Sequence, residues 1–306
     1  MPVFINADDV KNNLSWSELC EAFHEGHQAP QADIDDILFK QGDNAVLNRA
    51  AWIKGKGIGV KTATVFPNNA NRTPALLNVQ AVFTLFDDEN GQPLAFIDGN
   101  LVTKWKTAGD SVFAAKLLAR PDSKVLTIIG AGAVASSMID AYRAVFPQLE
   151  KVQIWNRTFA KAQTLATEKN AIAIESLPEA LSNADIASSS TMSTASFIKG
   201  EWIKAGTHVD LIGAYRPDMR EADDALIAKS HIFVDSRSTA IHDIGELAMP
   251  IENGVIKEED VIADFYQLCN NQQGRKSETE ITLFKNGGGA HLDLMTALYI
   301  MHKAEK

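Results

Sequence analysis

The sequence predicts an α/β protein in which a doubly wound parallel sheet stands beside a second, α+β domain. Three observations predict it. From Lys124 onward, short apolar runs alternate with helical or loop segments, as helices on the faces of a parallel sheet require. One of those runs, KVLTIIG, breaks into Gly-Ala-Gly and opens a helix-like segment. Before residue 120 the short apolar runs are separated by turn residues instead, the mark of mostly antiparallel connections.

Taken in order, Ser15-Trp16-Ser17-Glu18 has the form of a capping box, and Trp16, Leu19, Cys20 and Phe23 share one helical face. Beyond Pro30 the strand-like segments are AVLNRAAWI, GIGVKTATVF and LLNVQAVFTLF, with the turn-rich FPNNANRTP between the last two. DDENGQP reads as a hairpin turn, FIDGNLV follows, and TKWKTAGDSVFAAKLLAR is predicted as a helix capped by Thr103. The strands of the second domain are KVLTIIG, KVQIWN, AIAI, DIASSS, HVDLIGA and HIFVDS. After Asp260 come a predicted helix (VIADFYQLCNN), a polar stretch (QQGRKSETE) and a strand (ITLFKNGGG). The closing helix, AHLDLMTALYIMHKAEK, carries Leu292, Met295, Leu298 and Met301 on one stripe. Packed back on the first domain, it makes that domain discontinuous, residues 1–120 with 285–306, around a second domain of residues 121–284.

The 306 residues are enough for two hydrophobic cores. A formal net charge of −10 supplies no basic field, which argues against a nucleic-acid binder or a binder of anionic membranes. No run of about 18 apolar residues is present, so no membrane span is expected. The N-terminal MPVFINADDVKNN lacks the basic and long apolar regions of a signal peptide. The two cysteines, Cys20 and Cys269, have no metal-ligand spacing; no metal is expected, and a reducing, cytoplasmic setting is.

Gly130, Gly132 and Ala135 fit G-x-G-x-x-A between a strand and a helix, with Ala133 and Val134 inside the pattern. The first glycine permits the tight turn, the second lets backbone approach a pyrophosphate, and the small third residue lets helix and strand pack closely. The helix N-terminus then offers unpaired N–H groups to phosphate. This is the signature of a Rossmann dinucleotide-binding unit. An NAD enzyme usually carries Asp or Glu at the end of the next strand; this chain has Asn156-Arg157-Thr158. Asn removes the repulsion of a 2′-phosphate, Arg supplies a planar charged donor set and Thr a hydroxyl. NADP(H) is the expected cofactor, with NADH weaker.

Several segments together resemble the ornithine cyclodeaminase/mu-crystallin family: GVKTATVFPNN, DDENGQPLAFIDGNLVTKWKTAGDSVFAAKLLA, IIGAGAVA, IGAYRPDMRE and FKNGGGAHLD, in that order along nearly the whole chain. The resemblance implies an N-terminal substrate-binding and dimerisation domain, completed by the C-terminal helix, around the Rossmann domain. It implies a homodimer, and amino acids or cyclic imino acids, all bearing a carboxylate, as substrates. Lys61 matches the family lysine that holds the carboxylate. On chemistry alone, a lysine among apolar and threonine residues of a strand is costly unless paired, the other reading being an edge-strand lysine turned to water. Lys106 matches a family arginine; with Thr103 as N-cap it would lie at the third helical position, beside free backbone N–H groups. A further family arginine has no counterpart in DIDDILFKQ, and Arg49 and Arg72 are the candidate substitutes. By the same resemblance Asn78, Lys106, Thr107, Ser190, Thr191, Ile212, Gly213 and Asn286 belong with the cofactor, and Gly287 with the substrate. His291 is placed to donate a proton or orient a carboxylate, or else is simply packed. His24, His27, His208, His231, His242 and His302 read as structural or surface residues.

Cyclodeaminases of the family carry an aspartate after the Gly-Gly of the fifth Rossmann strand. Here that segment is Ile212-Gly213-Ala214-Tyr215-Arg216-Pro217, and Tyr215 holds the aspartate's place. A phenol is a poor general base near neutral pH. The expected reaction is therefore NADPH-dependent reduction of a cyclic ketimine carboxylate: 1-pyrroline-2-carboxylate to L-proline, with piperideine-2-carboxylate to pipecolate beside it. The alternatives are an ornithine cyclodeaminase or alanine dehydrogenase, and a low-turnover NADPH-binding protein of the mu-crystallin kind.

Overall fold

The computed structural model describes residues 1–271 and 274–305, the side chain of Ala70 excepted. The elements are, in order, β1 (Val3–Ile5), α1 (Ala7–Val10), α2 (Trp16–Gln28), β2 (Asp33–Gln41), β3 (Asn44–Ile53), β4 (Gly57–Val65), β5 (Val79–Phe86), β6 (Pro93–Asp98) and α3 (Gly99–Leu118). Then follow β7 (Val125–Ile129), α4 (Ala133–Val145), β8 (Lys151–Trp155), α5 (Phe159–Glu168), β9 (Ile172–Ala173), α6 (Leu177–Ser182), β10 (Ile186–Ser189) and β11 (His208–Leu211). The last are α7 (Asp224–Lys229), β12 (His231–Val234), α8 (Arg237–Ala240), α9 (Gly245–Glu252), β13 (Val261–Ala263), α10 (Phe265–Cys269), β14 (Thr282–Lys285) and α11 (Ala290–Ala304). The chain divides into two compact units: Met1–Lys106 with the C-terminal segment from Gly289, and Thr107–Gly288. The divisions fall inside α3 and just before α11, whereas the sequence placed them at residues 120 and 284.

The first unit is built on a six-stranded sheet of order β1-β6-β5-β4-β3-β2. Every pairing is antiparallel except that of β1 with β6. In β4, Gly57, Gly59, Lys61 and Ala63 are buried while the residues between them are half-exposed, the period of two that a sheet with one covered face imposes. Helix α11 lies over that covered face: an ideal Cβ on Gly59 would come within 3.0 Å of Leu294, and one on Gly57 within 3.4 Å of Leu298. The opposite face carries Phe4, Ile37, Phe39, Trp52 and Val82, all exposed, with Phe4 80% and Phe39 60% accessible. The register puts them on one face, since Phe4 opposes Phe96, Val82 opposes Thr62, and Ile37 opposes Asn48.

Strands β1 and β2 are the edges of this sheet, and neither was foreseen. β1 has only three residues, and β2 is acid-rich and largely exposed, so neither shows apolar alternation. Two cap assignments are corrected. Ser15 is the N-cap of α2 but makes no side-chain cap bond; its N–H donates to Tyr299 Oη at 2.7 Å, and Glu18 takes Lys303 Nζ at 2.9 Å. Contacts with α11 replace the local box. Helix α3 begins at Gly99, a full turn before Thr103, whose hydroxyl donates back to Gly99 O at 2.7 Å. Lys106 thus sits two turns inside the helix, where its neighbours' N–H groups are already spent on the helix, and the anion pocket expected from a Thr103 cap does not form.

The second unit is an eight-stranded, all-parallel sheet of order β13-β12-β14-β11-β10-β7-β8-β9. The chain runs from β7 outward through β8 and β9, then returns to lay β10 on the other side of β7. That reversal creates the switch point at which such sheets bind ligands. The segment VIADFYQLCNN is not one helix. Asp264 accepts from Gln267 N–H at 3.0 Å as an N-cap, so Val261–Ala263 forms strand β13 and only Phe265–Cys269 is helical. Gln272 and Gln273 of the polar stretch that follows lie outside the described residues. No helix is long and apolar enough to cross a membrane, and no group of three or more His, Cys, Asp or Glu could hold a metal, among the described residues.

Candidate active site

A cleft of about 470 Å³ opens at the carboxyl ends of β7, β8 and β10. Gly130, Gly132, Asn156, Arg157, Ser190 and Thr191 from the expected set line it. Gly130 has φ +119, which a side chain tolerates poorly, and its N–H donates to Trp155 O at 2.8 Å, tying the ends of β7 and β8 together. Gly132 is the N-cap of α4, and a Cβ built there would meet nothing within 4 Å. Its open side leaves backbone bare to the cleft, as a pyrophosphate cradle requires. Asn156 Nδ2 donates to Thr158 O at 2.9 Å and shapes the turn that presents Arg157. The buried Ser190 Oγ has no hydrogen-bond partner among the described residues, an orphan that a bound ligand would satisfy. These features fit a dinucleotide. Ala133, Val134, Thr158, Ile212, Gly213 and Asn286 are not among the lining residues. Trp155 and Phe197, stacked at 5.8 Å between ring centroids, are lining residues that the sequence did not single out. An apolar ring in the Ser/Thr-rich loop after β10 was the one signal available.

Behind the cleft a buried carboxylate holds the strand ends in place. Glu221 Oε1 accepts from Ser189 Oγ (2.6 Å), Thr191 N–H (2.8 Å) and Thr191 Oγ1 (2.6 Å), while Oε2 accepts from Gly213 N–H (2.8 Å). Only glycine lets β10 and β11 end so close: a Cβ on Gly213 would lie 1.9 Å from Thr191 O. Glu246 in turn accepts from the N–H groups of Glu221 (2.7 Å) and Ala222 (2.8 Å), and burial pushes its carboxyl up to about 7. Lys285, fully buried, donates to Leu211 O at 2.9 Å and to the Asn286 carbonyl. Burial lowers its pKa, and the charges of Glu246, Glu221, Asp235 and Asp210 act against that. Asp235 accepts from Gly287 N–H (2.9 Å) and Gly288 N–H (2.6 Å), fixing the turn after Asn286. Neither Glu221 nor Lys285 was picked out beforehand; each looked like one more charge in a loop or at a strand end.

In the first unit the expected substrate residues form a charged cluster. Lys61 lies on β4, an interior strand, so the edge-strand alternative is excluded. Its Nζ donates to Asp293 Oδ1 on α11 at 2.6 Å, with the two side chains 9% and 1% exposed. Burial lowers the lysine's pKa; Asp293 raises it, and the nearby charges of Lys106 and Arg49 lower it further. Of the two arginines considered, Arg49 stands directly across from Lys61 on β3 and is chelated by Asp36 at 2.7 and 2.9 Å. Arg72 Nε is instead held by Asn69 Oδ1 at 3.0 Å, in the turn ahead of β5, where Asn78 is also exposed. His291 is buried, edge-on to His27 at 5.2 Å between centroids. Burial, with the charges of Lys106 and Arg49, pushes it down to about 3. It is a neutral imidazole near pH 7, which removes it as an imidazolium proton donor and leaves it a packing or orienting role. Tyr215 is exposed, with Arg216 5.5 Å from its ring centroid.

A parallel sheet with a glycine-cornered dinucleotide cleft at its switch point, in a chain whose other unit carries a charged cluster, defines the class: an NAD(P)H-dependent oxidoreductase. Residues 38–306 match the profile of the ornithine cyclodeaminase/mu-crystallin family, and the chain belongs to that family. It is 49% identical to the Δ1-pyrroline-2-carboxylate reductase of Paracoccus denitrificans over 305 residues, 98% of this chain and 96% of that one. It is 35% identical to the ketimine reductase mu-crystallin of Mus musculus over 97% of this chain and 95% of that protein. The structure of the Thermococcus litoralis Δ1-pyrroline-2-carboxylate reductase in complex with NADH and L-proline superimposes with a TM-score of 0.89 at 28% identity, covering 99% of this chain and 97% of that one.

Proposed function

We propose that this enzyme reduces a cyclic ketimine carboxylate with NADPH, 1-pyrroline-2-carboxylate to L-proline first and piperideine-2-carboxylate to pipecolate second. The observation that carries the reading is the cluster of buried Lys61 and Lys106 with half-buried Arg49, which offers three cations to a small anionic substrate. Tyr215, exposed and phenolic where cyclodeaminases have an aspartate, leaves no base for ammonia loss at that point. The reductase names of the relatives point the same way. When bound, the nicotinamide supplies the hydride that reduces the C=N carbon. The residues of the first unit do the rest of the work: Lys61 and Lys106 clamp the carboxylate, Arg49 is the third member, and burial excludes water and strengthens each contact. Cofactor choice is read from Asn156, Arg157 and Thr158, which present no carboxylate to a 2′-phosphate. The Thermococcus relative was captured with NADH, so the proposed NADPH preference rests on this chain's own turn alone.

The open sheet face of the first unit, with Phe4, Ile37, Phe39, Trp52 and Val82 exposed together, needs a cover. We assign it to a second copy in a two-fold homodimer. Two free, buried cysteines fit a reducing compartment such as the cytoplasm. Two readouts test the functional reading: NADPH oxidation with pyrroline-2-carboxylate, piperideine-2-carboxylate, and pyruvate plus ammonia, and ammonia release from ornithine. Turnover on the two cyclic imines is expected to exceed the others at least tenfold; turnover on ornithine or pyruvate alone would defeat it. Light scattering at micromolar concentration is expected to give twice the 33.3 kDa chain mass, and a monomer would remove the assembly.

A further inference from the structure

One atom of the charged cluster is left over. Asp293 is 1% exposed; Oδ1 accepts from Lys61, and Oδ2 has no hydrogen-bond partner among the described residues. A buried carboxylate oxygen without a donor is unfavourable, and an active site keeps one when a ligand supplies the donor. The ligand chemistry fits. A cyclic ketimine carboxylate in its reactive form is a zwitterion, with an anionic carboxylate on the carbon beside a protonated ring nitrogen. The cluster holds both complements: the cations Arg49, Lys61 and Lys106, and the anion Asp293.

We propose that Asp293 Oδ2 accepts the N–H of the protonated ring nitrogen, and so makes the enzyme select C=N–H⁺ over C=O at the carbon to be reduced. The inference rests on the ketimine reading above. It also closes the proton account. The imine takes its proton from water before reduction; the new C–H bond forms with the incoming hydride, and the C=N π pair moves onto nitrogen. The product is a secondary amine that already carries the N–H held by Asp293. No side chain gives up a proton, so a neutral His291 is no obstacle. A 2-oxo acid of the same size presents only lone pairs to Oδ2 and leaves a buried charge unpaired, the kind of mismatch that a polar site rejects strongly.

Asp293→Asn is the sharpest variant, because it keeps the shape. Its amide oxygen still accepts from Lys61, and its NH₂ then faces the ring nitrogen. We expect kcat/KM for pyrroline-2-carboxylate to fall at least a hundredfold at about pH 8. The fold loss should be about the same at about pH 5 as at about pH 8, because both enzymes draw on the same protonated fraction of the imine in water. NADPH affinity, followed by fluorescence, should stay within threefold. No loss, or an equal loss of NADPH affinity, overturns the proposal. A second measurement needs no variant. L-Proline should inhibit the native enzyme at least thirtyfold better than tetrahydrofuran-2-carboxylate, which has a ring oxygen in place of the N–H; equal inhibition overturns the proposal. Native enzyme that reduces no cyclic imine, yet binds proline far better than its oxygen analogue, defeats the functional reading and upholds the Asp293 contact.

Discussion

Lys61 Nζ stands 2.6 Å from Asp293 Oδ1 inside the first unit, and Arg49 lies directly across from Lys61 on the neighbouring strand. An ammonium has three N–H donors, and Asp293 uses one of them. The pair therefore does not consume the lysine. It holds the ammonium in one orientation and offsets the burial that would otherwise favour its neutral form.

Removing either charge from the clamp should damage imine reduction far more than NADPH binding. Losing one charge-assisted hydrogen bond in a water-poor site costs about 2–4 kcal/mol of transition-state stabilisation, roughly thirtyfold to a thousandfold in kcat/KM. Lys61→Ala and Lys106→Ala should both show this, and Lys106→Arg should do better than Lys106→Ala because it keeps the charge. Lys61→Ala also strands Asp293, so its stability should drop by about 3–5 kcal/mol. The double variant Lys61→Ala/Asp293→Ala should recover part of that stability and none of the activity. Steady-state kinetics with urea denaturation measures all four; near-native kcat/KM in both alanine variants would move the clamp elsewhere.

Cofactor choice should follow the turn after β8. Native enzyme is expected to favour NADPH over NADH in kcat/KM. Asn156→Asp should erode the preference by repelling the 2′-phosphate, and Arg157→Ala should weaken NADPH roughly tenfold while leaving NADH almost unchanged. Equal kcat/KM for both dinucleotides in the native chain would end this reading.

Much of the site was legible where chemistry and local geometry coincide. The Gly130–Gly132 turn needs its glycines for reasons internal to a strand–turn–helix unit, and it stands at the predicted place. Lys61 was conspicuous because a lysine at a buried strand position demands a partner. Its partner was not, because Asp293 is 232 positions away in the chain and nothing local marks it. The start of α3 was misplaced for a related reason. Thr103 looks like a cap, but Gly99 at the helix start is allowed by how closely it packs on β5; a Cβ there would lie 2.5 Å from Ala81. Edge strands β1 and β2 escaped because an edge need not alternate. Glu221 escaped because its role exists only once β10 and β11 are side by side.

Glu221 yields a third prediction. Its two oxygens accept four hydrogen bonds from Ser189, Thr191 and Gly213, the residues that end β10 and β11. In Glu221→Gln one end becomes an NH₂ and faces an N–H, leaving buried donors unsatisfied at about 1–3 kcal/mol. The loops they anchor border the cleft, so the KM for NADPH should rise at least tenfold. The KM for the imine, measured at saturating NADPH, should move less than threefold. A loss of stability with an unchanged NADPH KM would make Glu221 a structural residue only.

The last prediction concerns pH. Burial raises the Asp210 carboxyl to about 7, although Ser188, Ser111 and Tyr142 donate to it and Lys285 lies near. In the unfolded chain a carboxyl titrates near 4, as an ordinary aspartate does. Between about pH 4 and 7 the native state thus holds a proton that the unfolded state has lost, and this group's contribution to stability falls as pH rises through that window. Glu246, raised to about 7, has the same sign. His208 and His291, each pushed down to about 3 by burial, have the opposite sign: the unfolded chain binds their protons below about 6.5, so their contribution falls as pH falls. Around pH 5.5 the two acids retain about two protons in the native state, and the two histidines bind about two in the unfolded one, so these four groups should give a nearly level stability there. Asp210→Asn removes one of the two acids from that balance and keeps the shape, its oxygen still able to accept from one of the two serines. Relative to native protein, its stability should climb by about 1 kcal/mol per pH unit between about pH 4.5 and 6.5. Denaturant titrations of both proteins at three pH values in that range measure the slope, and parallel curves would show that Asp210 titrates with its ordinary pKa in the folded chain.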